Sequence, residues 1–404
     1  MQDSTSPSFL TKYATVFFIL YSIYYIPIEG RIALGPIKLT LLALSILVLL
    51  IYTLKISKAF IIGSAYIIYQ FLSASFHPES WRWSTLLFSF GLVCTYVCFY
   101  NLVTIERVFT IERFIKICKW IMMAYFVVCI IQQLSLLAGI NYFPLINLCQ
   151  IFNRGIGCNS LCQEPSTFGR FMLVFYYAYI KCCEYKRDEG PFTLKELFSG
   201  EHKWVTIRFL WMMTTMGSGT AFFCIILLSS YFVRRNNWFY VVPFLIGMYS
   251  LLQISGMESW DRATNAIEAA STMDTQNVRQ TDTSAAVRIN PILNSINADF
   301  SKFETWFGKG IDSGLKDKAN RTLFDDYGFI FYLLSLILGI SCSYGFSFLA
   351  ILFLFTGVAG GAGSNIQYAW TLMMVFTCVK YFHENRYNPE IYEEEEEHPQ
   401  AAMK

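Results

Sequence analysis

The residues of this chain best suited to chemistry are charged side chains at the ends of long apolar runs, because an ionisable group near lipid is costly and usually has a task or a partner. Three clusters stand out. The first reads Asn153-Arg154-Gly155-Ile156-Gly157, then Gln163-Glu164-Pro165-Ser166, then Arg170. Pro165 suits the first turn of a helix, which sets Glu164 at that helix's N-terminus. There it could serve as a general base or simply cap the helix, paired with Arg170 or Arg154. The second cluster, Thr214-Thr215-Met216-Gly217-Ser218-Gly219-Thr220, offers small residues and backbone amides that can cradle a phosphate oxygen. A plain tight turn accounts for its glycines equally well. The third runs from Asp282-Thr283-Ser284-Ala285-Ala286-Val287-Arg288 through Trp306-Phe307-Gly308-Lys309-Gly310-Ile311-Asp312 to Asp325-Asp326-Tyr327-Gly328. Arg288 supplies a planar fork suited to phosphate or pyrophosphate, and Lys309 a second point charge. The bland alternative is a solvated surface for Lys309 and a helix cap for Asp325 or Asp326.

The elements that must position these clusters follow from composition. The chain has 404 residues, 55% hydrophobic, 18% aromatic and only 15% charged, with mean hydropathy +0.42. That is too apolar for one soluble core and fits a chain dissolved in lipid. The net charge of +2 selects no polyanion, and no basic stripe with interleaved aromatics speaks for nucleic acid. The start, Met1 to Pro7, lacks a cationic region and a small-residue cleavage site, so the first apolar run is expected to be retained. The four histidines show no metal-ligand spacing, and no metal or cofactor is expected. The cysteines fall mostly in apolar runs. Cys149, Cys158 and Cys162 share one loop and could pair or stay packed as free thiols.

A spanning helix needs about 20 mainly apolar residues, and the sequence offers twelve such stretches. They are Lys12–Pro27, Ile37–Leu54, Ala59–Ser75, Thr85–Val103, Ile115–Leu137, Ser166–Cys183, Val205–Met216, Thr220–Val233, Trp238–Ile254, Tyr327–Cys342, Tyr344–Val358 and Ile366–Phe382. Val205–Met216 is the weakest and could re-enter rather than cross. The expected fold is therefore all-α and polytopic, with about twelve spans: nine over 1–255, a large extracytoplasmic loop over 256–325, three more spans over 326–382 and an acidic tail over 383–404. With both termini inside, lysines and arginines gather on the inner side, from Lys12 and Lys55 through Lys186, Arg187, Arg234 and Arg235 to Lys380 and Arg386. The short outer loops hold only Arg31, Lys38, Arg82 and Arg154, as the positive-inside rule requires. The long loop carries Trp260, Phe300, Phe303, Trp306 and Phe307 as apolar anchors, and Ala286, Ile289, Ile292, Leu293 and Ile296 fall at near-helical spacing. Pro291 is the expected boundary or kink. The five glutamates Glu393–Glu397 should repel and stay solvated.

In their order these residues resemble the Wzy-type O-antigen and capsular polysaccharide polymerases. The resemblance rests on Arg154-Gly155, Glu164-Pro165-Ser166, a small-residue Ser/Thr turn, an arginine-bearing outer loop, Gly308-Lys309-Gly310 and an Asp-Tyr-Gly helix entry, and it spans Asn153 to Phe382. It implies a GT-C-like helical fold shared with the O-antigen ligases, residence in a bacterial inner membrane, and action on undecaprenyl-pyrophosphate-linked repeat units. A chain-length regulator and a flippase are partners the family implies. Two departures matter. The turn reads Gly217-Ser218-Gly219 where relatives carry a basic residue after the serine, and Asp325-Asp326 stands where ligases show a histidine.

Polymerisation suits the residue types. A sugar hydroxyl attacks an anomeric carbon and expels a lipid pyrophosphate. Arg154, Arg170, Ser218, Arg288 and Lys309 would bind the charged substrate and stabilise the departing charge. Glu164 would take the hydroxyl proton, with Asp326 in reserve. The donor arrives activated on lipid, so the reaction is expected to be metal-independent. The alternatives are an O-antigen ligase, which differs in its lipid A core acceptor, and a lipid-linked oligosaccharide flippase. The scarcity of charge in the middle of the spans argues against the flippase.

Overall fold

The computed structural model describes residues 7–23, 27–28, 31–32, 34–140, 158–162, 164–187, 190–232, short stretches between 239 and 281, residue 293, and residues 296–311, 323–343 and 367–392. Apart from one two-residue antiparallel ladder, in which Pro27 faces Ile32 and Ile28 faces Arg31, its regular elements are helices. In chain order these are α1 (Pro7–Ser22), α2 (Leu34–Ile51), α3 (Lys58–Ser75), α4 (Trp83–Thr104), α5 (Ile111–Leu137), α6 (Pro165–Tyr185), α7 (Leu194–Leu197), α8 (His202–Thr215) and α9 (Gly219–Tyr231). Then follow α10 (Thr275–Thr281), α11 (Phe303–Phe307), α12 (Leu323–Ser343) and α13 (Gln367–Glu384).

Ten of the twelve apolar stretches fall on these helices, each within a few residues of its expected ends. Of the other two, Tyr344–Val358 lies outside the described residues and Trp238–Ile254 is described only at scattered helical positions. Two helices, Trp83–Thr104 and Ile111–Leu137, are long and apolar enough to cross a membrane; those over Phe9–Ser22, Lys38–Ile51, Gly219–Ser229 and Asp326–Cys342 are apolar but shorter. The expected α1 is shifted: the helix begins at Pro7 and ends at Ser22, five residues before Pro27, so the chain turns earlier than hydropathy implied. Proline fits that first helical position because its missing N–H has no intrahelical acceptor there.

From α1 to α6 consecutive helices run up and down. Asn101, near the end of α4, donates from Nδ2 to the carbonyls of Thr53 and Lys55 in the α2–α3 turn, at 2.8 and 3.1 Å. At the opposite end, Tyr125 of α5 donates to the Ser22 carbonyl at 2.7 Å. The α13 helix is the most enclosed: Trp370, Leu372, Met373, Met374, Phe376 and Cys378 are buried, and it packs against α4, α6 and α12. Its Thr377 hydroxyl meets Tyr96 of α4 at 2.9 Å. Aromatic rings fill the space between helices, as with Phe18 against Phe99 and Tyr176 stacked on Phe209 at 4.0 Å. Outward faces are apolar as well: Leu50, Leu72, Leu87, Leu134 and Ile68 are all exposed. The described chain begins near Phe9, whose ring meets Tyr52, and closes near Tyr392, whose hydroxyl donates to the Tyr185 carbonyl. Both lie at the bundle end that holds the α2–α3 turn and the end of α6, here termed the inner end.

Candidate active site

The other, outer end of the bundle gathers the sequence clusters. Three of its elements come from the second half of the chain: α11, the segment Gly308–Ile311 and the start of α12. This segment is a clasp between the two short motifs Gly308-Lys309-Gly310 and Asp326-Tyr327-Gly328. Gly308 adopts φ 79°, ψ −177°, and Gly328 adopts φ 80°, ψ −177°, a region essentially closed to L side chains. A Cβ on Gly308 would strike the backbone of Asp326 and Tyr327, and one on Gly328 would strike the Trp306 carbonyl and the Gly308 nitrogen. The two glycines therefore exist so that two backbones can cross in contact. The Gly310 amide then donates to the Asp326 carbonyl at 3.2 Å.

α3 holds this clasp from beneath by donating to carbonyls that α11 leaves open. The Tyr69 hydroxyl donates to Trp306 O at 2.7 Å and the Ser73 hydroxyl to Phe307 O at 2.6 Å. His77 completes the set: its Nε2 lies 3.0 Å from Gly308 O, and because a carbonyl only accepts, that nitrogen carries the proton. Its Nδ1 faces Glu79 at 3.6 Å. Phe76 packs edge-on to Phe303 and Phe307, and Trp306 donates to Phe300 O at 2.9 Å. Phe300, Phe303, Trp306 and Phe307 pack together over residues 300–307, while Trp260 lies outside the described residues. The helical spacing over Ala285–Phe300 and the kink at Pro291 lie largely outside the described residues.

The predicted site residues separate into distinct settings. Asp326 is 4% exposed, enclosed beneath the clasp, while Lys309 is exposed above it. Glu164 occupies the cap position of α6 with Pro165 behind it, as the sequence implied, but its side chain does not cap the helix. Instead the carboxylate is exposed and accepts from the Ser166 hydroxyl at 3.1 Å. Arg170, expected to bind substrate, is 4% exposed and turned into the α6–α9 packing, where its charge reaches Cys224. Gly169 beside it lets Ala221 and Met216 approach. Burial of that arginine follows from helical geometry: five residues past Pro165 it falls on the face that meets α9. Ser218 lies half-buried in the turn before α9 and its carbonyl accepts from the Ala221 amide, which is the tight-turn reading of that cluster. Arg154 and Arg288 lie outside the described residues, as does the Asp325 side chain.

Two outer-end groups were given no role from the sequence. His77 looked isolated because its partner Gly308 is 231 residues away. Lys38, expected in an outer loop, lies within α2, 3% exposed and 5.9 Å from the Tyr21 ring. In the cysteine loop Cys158 and Cys162 are buried free thiols, the second of the two expected states, while Cys149 lies outside the described residues. Cys158 lies 3.1 Å from Cys129 of α5, while Cys162 approaches the Tyr125 hydroxyl at 3.8 Å. The loop is bound to α5 through Gln132, which donates to Asn159 and accepts from the Ser160 amide at 2.8 Å. Gln133 joins it to α8 by donating to the Thr215 hydroxyl at 2.7 Å. Among the described residues no group of three or more potential metal ligands occurs.

The outer end therefore presents an exposed carboxylate at the start of α6 and an exposed ammonium on a rigid backbone platform, with a histidine bound to that platform. Such groups can accept a proton and bind an anion. Comparison of the chain with protein-family models, with curated proteins and with solved structures finds no match.

Proposed function

We propose that this protein is a multi-pass glycosyltransferase of the bacterial inner membrane that polymerises undecaprenyl-pyrophosphate-linked oligosaccharide repeat units on the periplasmic face. Both termini are then cytoplasmic, and the outer end of the bundle faces the periplasm. The observation that carries this reading is the crossing of Gly308-Lys309-Gly310 over Asp326-Tyr327-Gly328. Two motifs of the resemblance, well separated in sequence, are built to touch, at the bundle end where Glu164 opens α6.

In this reading the growing glycan is transferred from its lipid pyrophosphate to a hydroxyl of the incoming unit. Glu164, exposed and accepting a hydrogen bond from Ser166, takes the hydroxyl proton as the C–O bond forms. Lys309, with Arg154 and Arg288, stabilises the pyrophosphate as the anomeric bond breaks. Asp326 is too enclosed to reach a sugar hydroxyl, so its part is to position the clasp. Arg170 supports the α6–α9 packing behind Glu164 in the same way. A chain-length regulator and a flippase would be the partners. None of these steps calls for a metal or a cofactor.

His77 favours one second reading, an O-antigen ligase. The long loop contains no histidine, yet the fold brings one to Gly308. The acceptor separates the two. Proteoliposomes supplied with undecaprenyl-pyrophosphate-linked repeat units should yield a ladder of polymers, abolished by Glu164→Gln and weakened by Lys309→Ala at matched expression. Transfer only to lipid A core would establish the ligase, and movement of the lipid between leaflets without bond formation would refute both.

A further inference from the structure

At the inner end, the first turns of α5 and α8, the last turn of α6 and the segment before α7 enclose a cavity of about 400 Å³. Four cations line it, Lys116, Lys119, Lys186 and Arg187, against two carboxylates, Glu112 and Glu201. The carboxylates are engaged from one side each: Glu112 by Lys186 at 2.7 Å, Glu201 by Lys119 at 3.2 Å. Arg187 is held by Glu196 at 3.0 Å from outside the lining, and its guanidinium lies 4.2 Å from the Phe192 ring. Glu196 is itself fixed by a reciprocal capping box with Thr193. The lining thus holds more positive than negative charge in a fixed geometry.

The helix ends add to that field. α5 and α8 both point their N-termini at the cavity, the ends that carry partial positive charge and free N–H groups. α6 points its C-terminus there, but Lys186 and Arg187 follow directly and offset it. Glu201 is held below the usual carboxylate range, first by its hydrogen bond from Lys119. His202 is pushed below the usual imidazole range by burial, against the opposing pull of Glu201, with Lys119 and Arg187 adding smaller contributions.

Position decides which anion the cavity suits. Trp120 of α5 and Trp204 of α8 are exposed, at 66% and 60%, on the helices that line the cavity, and Lys203 sits 5.6 Å from the Trp204 ring. Exposed tryptophan beside lysine at a helix end is the pattern of a membrane–water interface, and basic pockets between helices on the cytoplasmic side suit phospholipid headgroups. We propose that this cavity binds the phosphate of an anionic phospholipid headgroup from the cytoplasmic leaflet, anchoring α5, α6 and α8 against one another. This rests on the membrane reading above but is independent of the polymerase chemistry at the opposite end.

The test uses the full chain reconstituted in bilayer discs made of equal parts phosphatidylcholine and phosphatidylglycerol, with bound lipid counted by native mass spectrometry after release. Phosphatidylglycerol should be retained in preference to phosphatidylcholine. Lys116→Gln should reduce that preference about fivefold, as expected for one lysine charge lost near an anionic phosphate, and Lys116→Arg should restore it. Lys302→Gln, at the other end, should leave it unchanged. Equal retention of both lipids, or a preference that survives Lys116→Gln together with Arg187→Gln, would overturn the site. Inorganic phosphate retained in the mass spectrum together with equal retention of both lipids would assign the cavity to a soluble anion and overturn the lipid assignment. Carbonate extraction of the chain from cell membranes is run alongside. Release would overturn the membrane reading and this proposal together, whereas retention without lipid preference overturns this proposal alone.

Discussion

The two ends of the bundle are held by different chemistry. At the inner end, side chains pair with side chains: Lys55 with Glu106, Lys186 with Glu112, Lys119 with Glu201, Arg187 with Glu196, and Lys181 with Glu184. At the outer end, hydroxyls, amides and a histidine bind backbone carbonyls, and glycines allow backbones to cross. The difference has a functional consequence. Carboxylates engaged in ion pairs are poor bases, because the pairing that stabilises them removes their affinity for a proton. An end held by its backbone can leave a carboxylate such as Glu164 and an ammonium such as Lys309 open to a substrate.

That contrast can be broken from either side. The largest effect is expected at the inner end. Glu184 is buried and accepts from Tyr231 at 2.6 Å, Lys181 at 2.8 Å and the Phe192 amide at 3.0 Å. Glu184→Ala takes the shared acceptor from the partly buried Lys181 ammonium, the Tyr231 hydroxyl and the Phe192 amide and should cost about 3 kcal/mol, read as a lowered unfolding midpoint in detergent. At the outer end, Gly328→Ala sets an L side chain in the glycine-only region and against the Trp306 carbonyl. The expected loss is about 2 to 4 kcal/mol from strain and overpacking, with proteolysis appearing first in the segment 303–311. Cleavage that begins instead at α7 would show that the clasp is not what secures this loop.

A covalent test sharpens the outer end. The Cys129 and Cys158 sulfurs are 3.1 Å apart, against about 2.05 Å in a disulfide. A small approach of the loop joins them, so a thiol-oxidising reagent should link the fragments on either side of residues 141–157 after proteolysis, and Cys129→Ser should prevent it. The smallest effect is on acid stability. His202, whose Nδ1 lies 2.6 Å from the Tyr179 hydroxyl, has its basicity lowered by burial, with Lys119 and Arg187 adding to it and Glu201 and Glu196 opposing. The unfolded chain then binds a proton that the folded chain resists. Stability from this group is present above the ordinary imidazole range and is lost as pH falls through it. Replacing His202 by Gln should flatten that part of the stability profile.

Much of the helical framework was legible because hydropathy and proline placement act locally. Pro165 fixed the start of α6 and with it the setting of Glu164. The site was legible only in pieces. Gly308 and Gly328 could be named as parts of motifs, but nothing local says that their backbones cross. His77 and Cys129 find their partners at positions distant in the chain, and nothing local shows that Lys38 is buried against Tyr21. Arg170 was misjudged because residue type alone does not give the face on which a helix turns it.

The central claim is that these two ends face different compartments, the clasp with Lys309 outside and the cationic cavity with Lys116 inside. Single variants Lys309→Cys and Lys116→Cys, each compared with the unaltered chain as background, can be labelled in spheroplasts with a membrane-impermeant maleimide. Labelling of Lys309→Cys in intact spheroplasts, and of Lys116→Cys only after permeabilisation, is the expected result. Labelling of both from the same side would contradict the account.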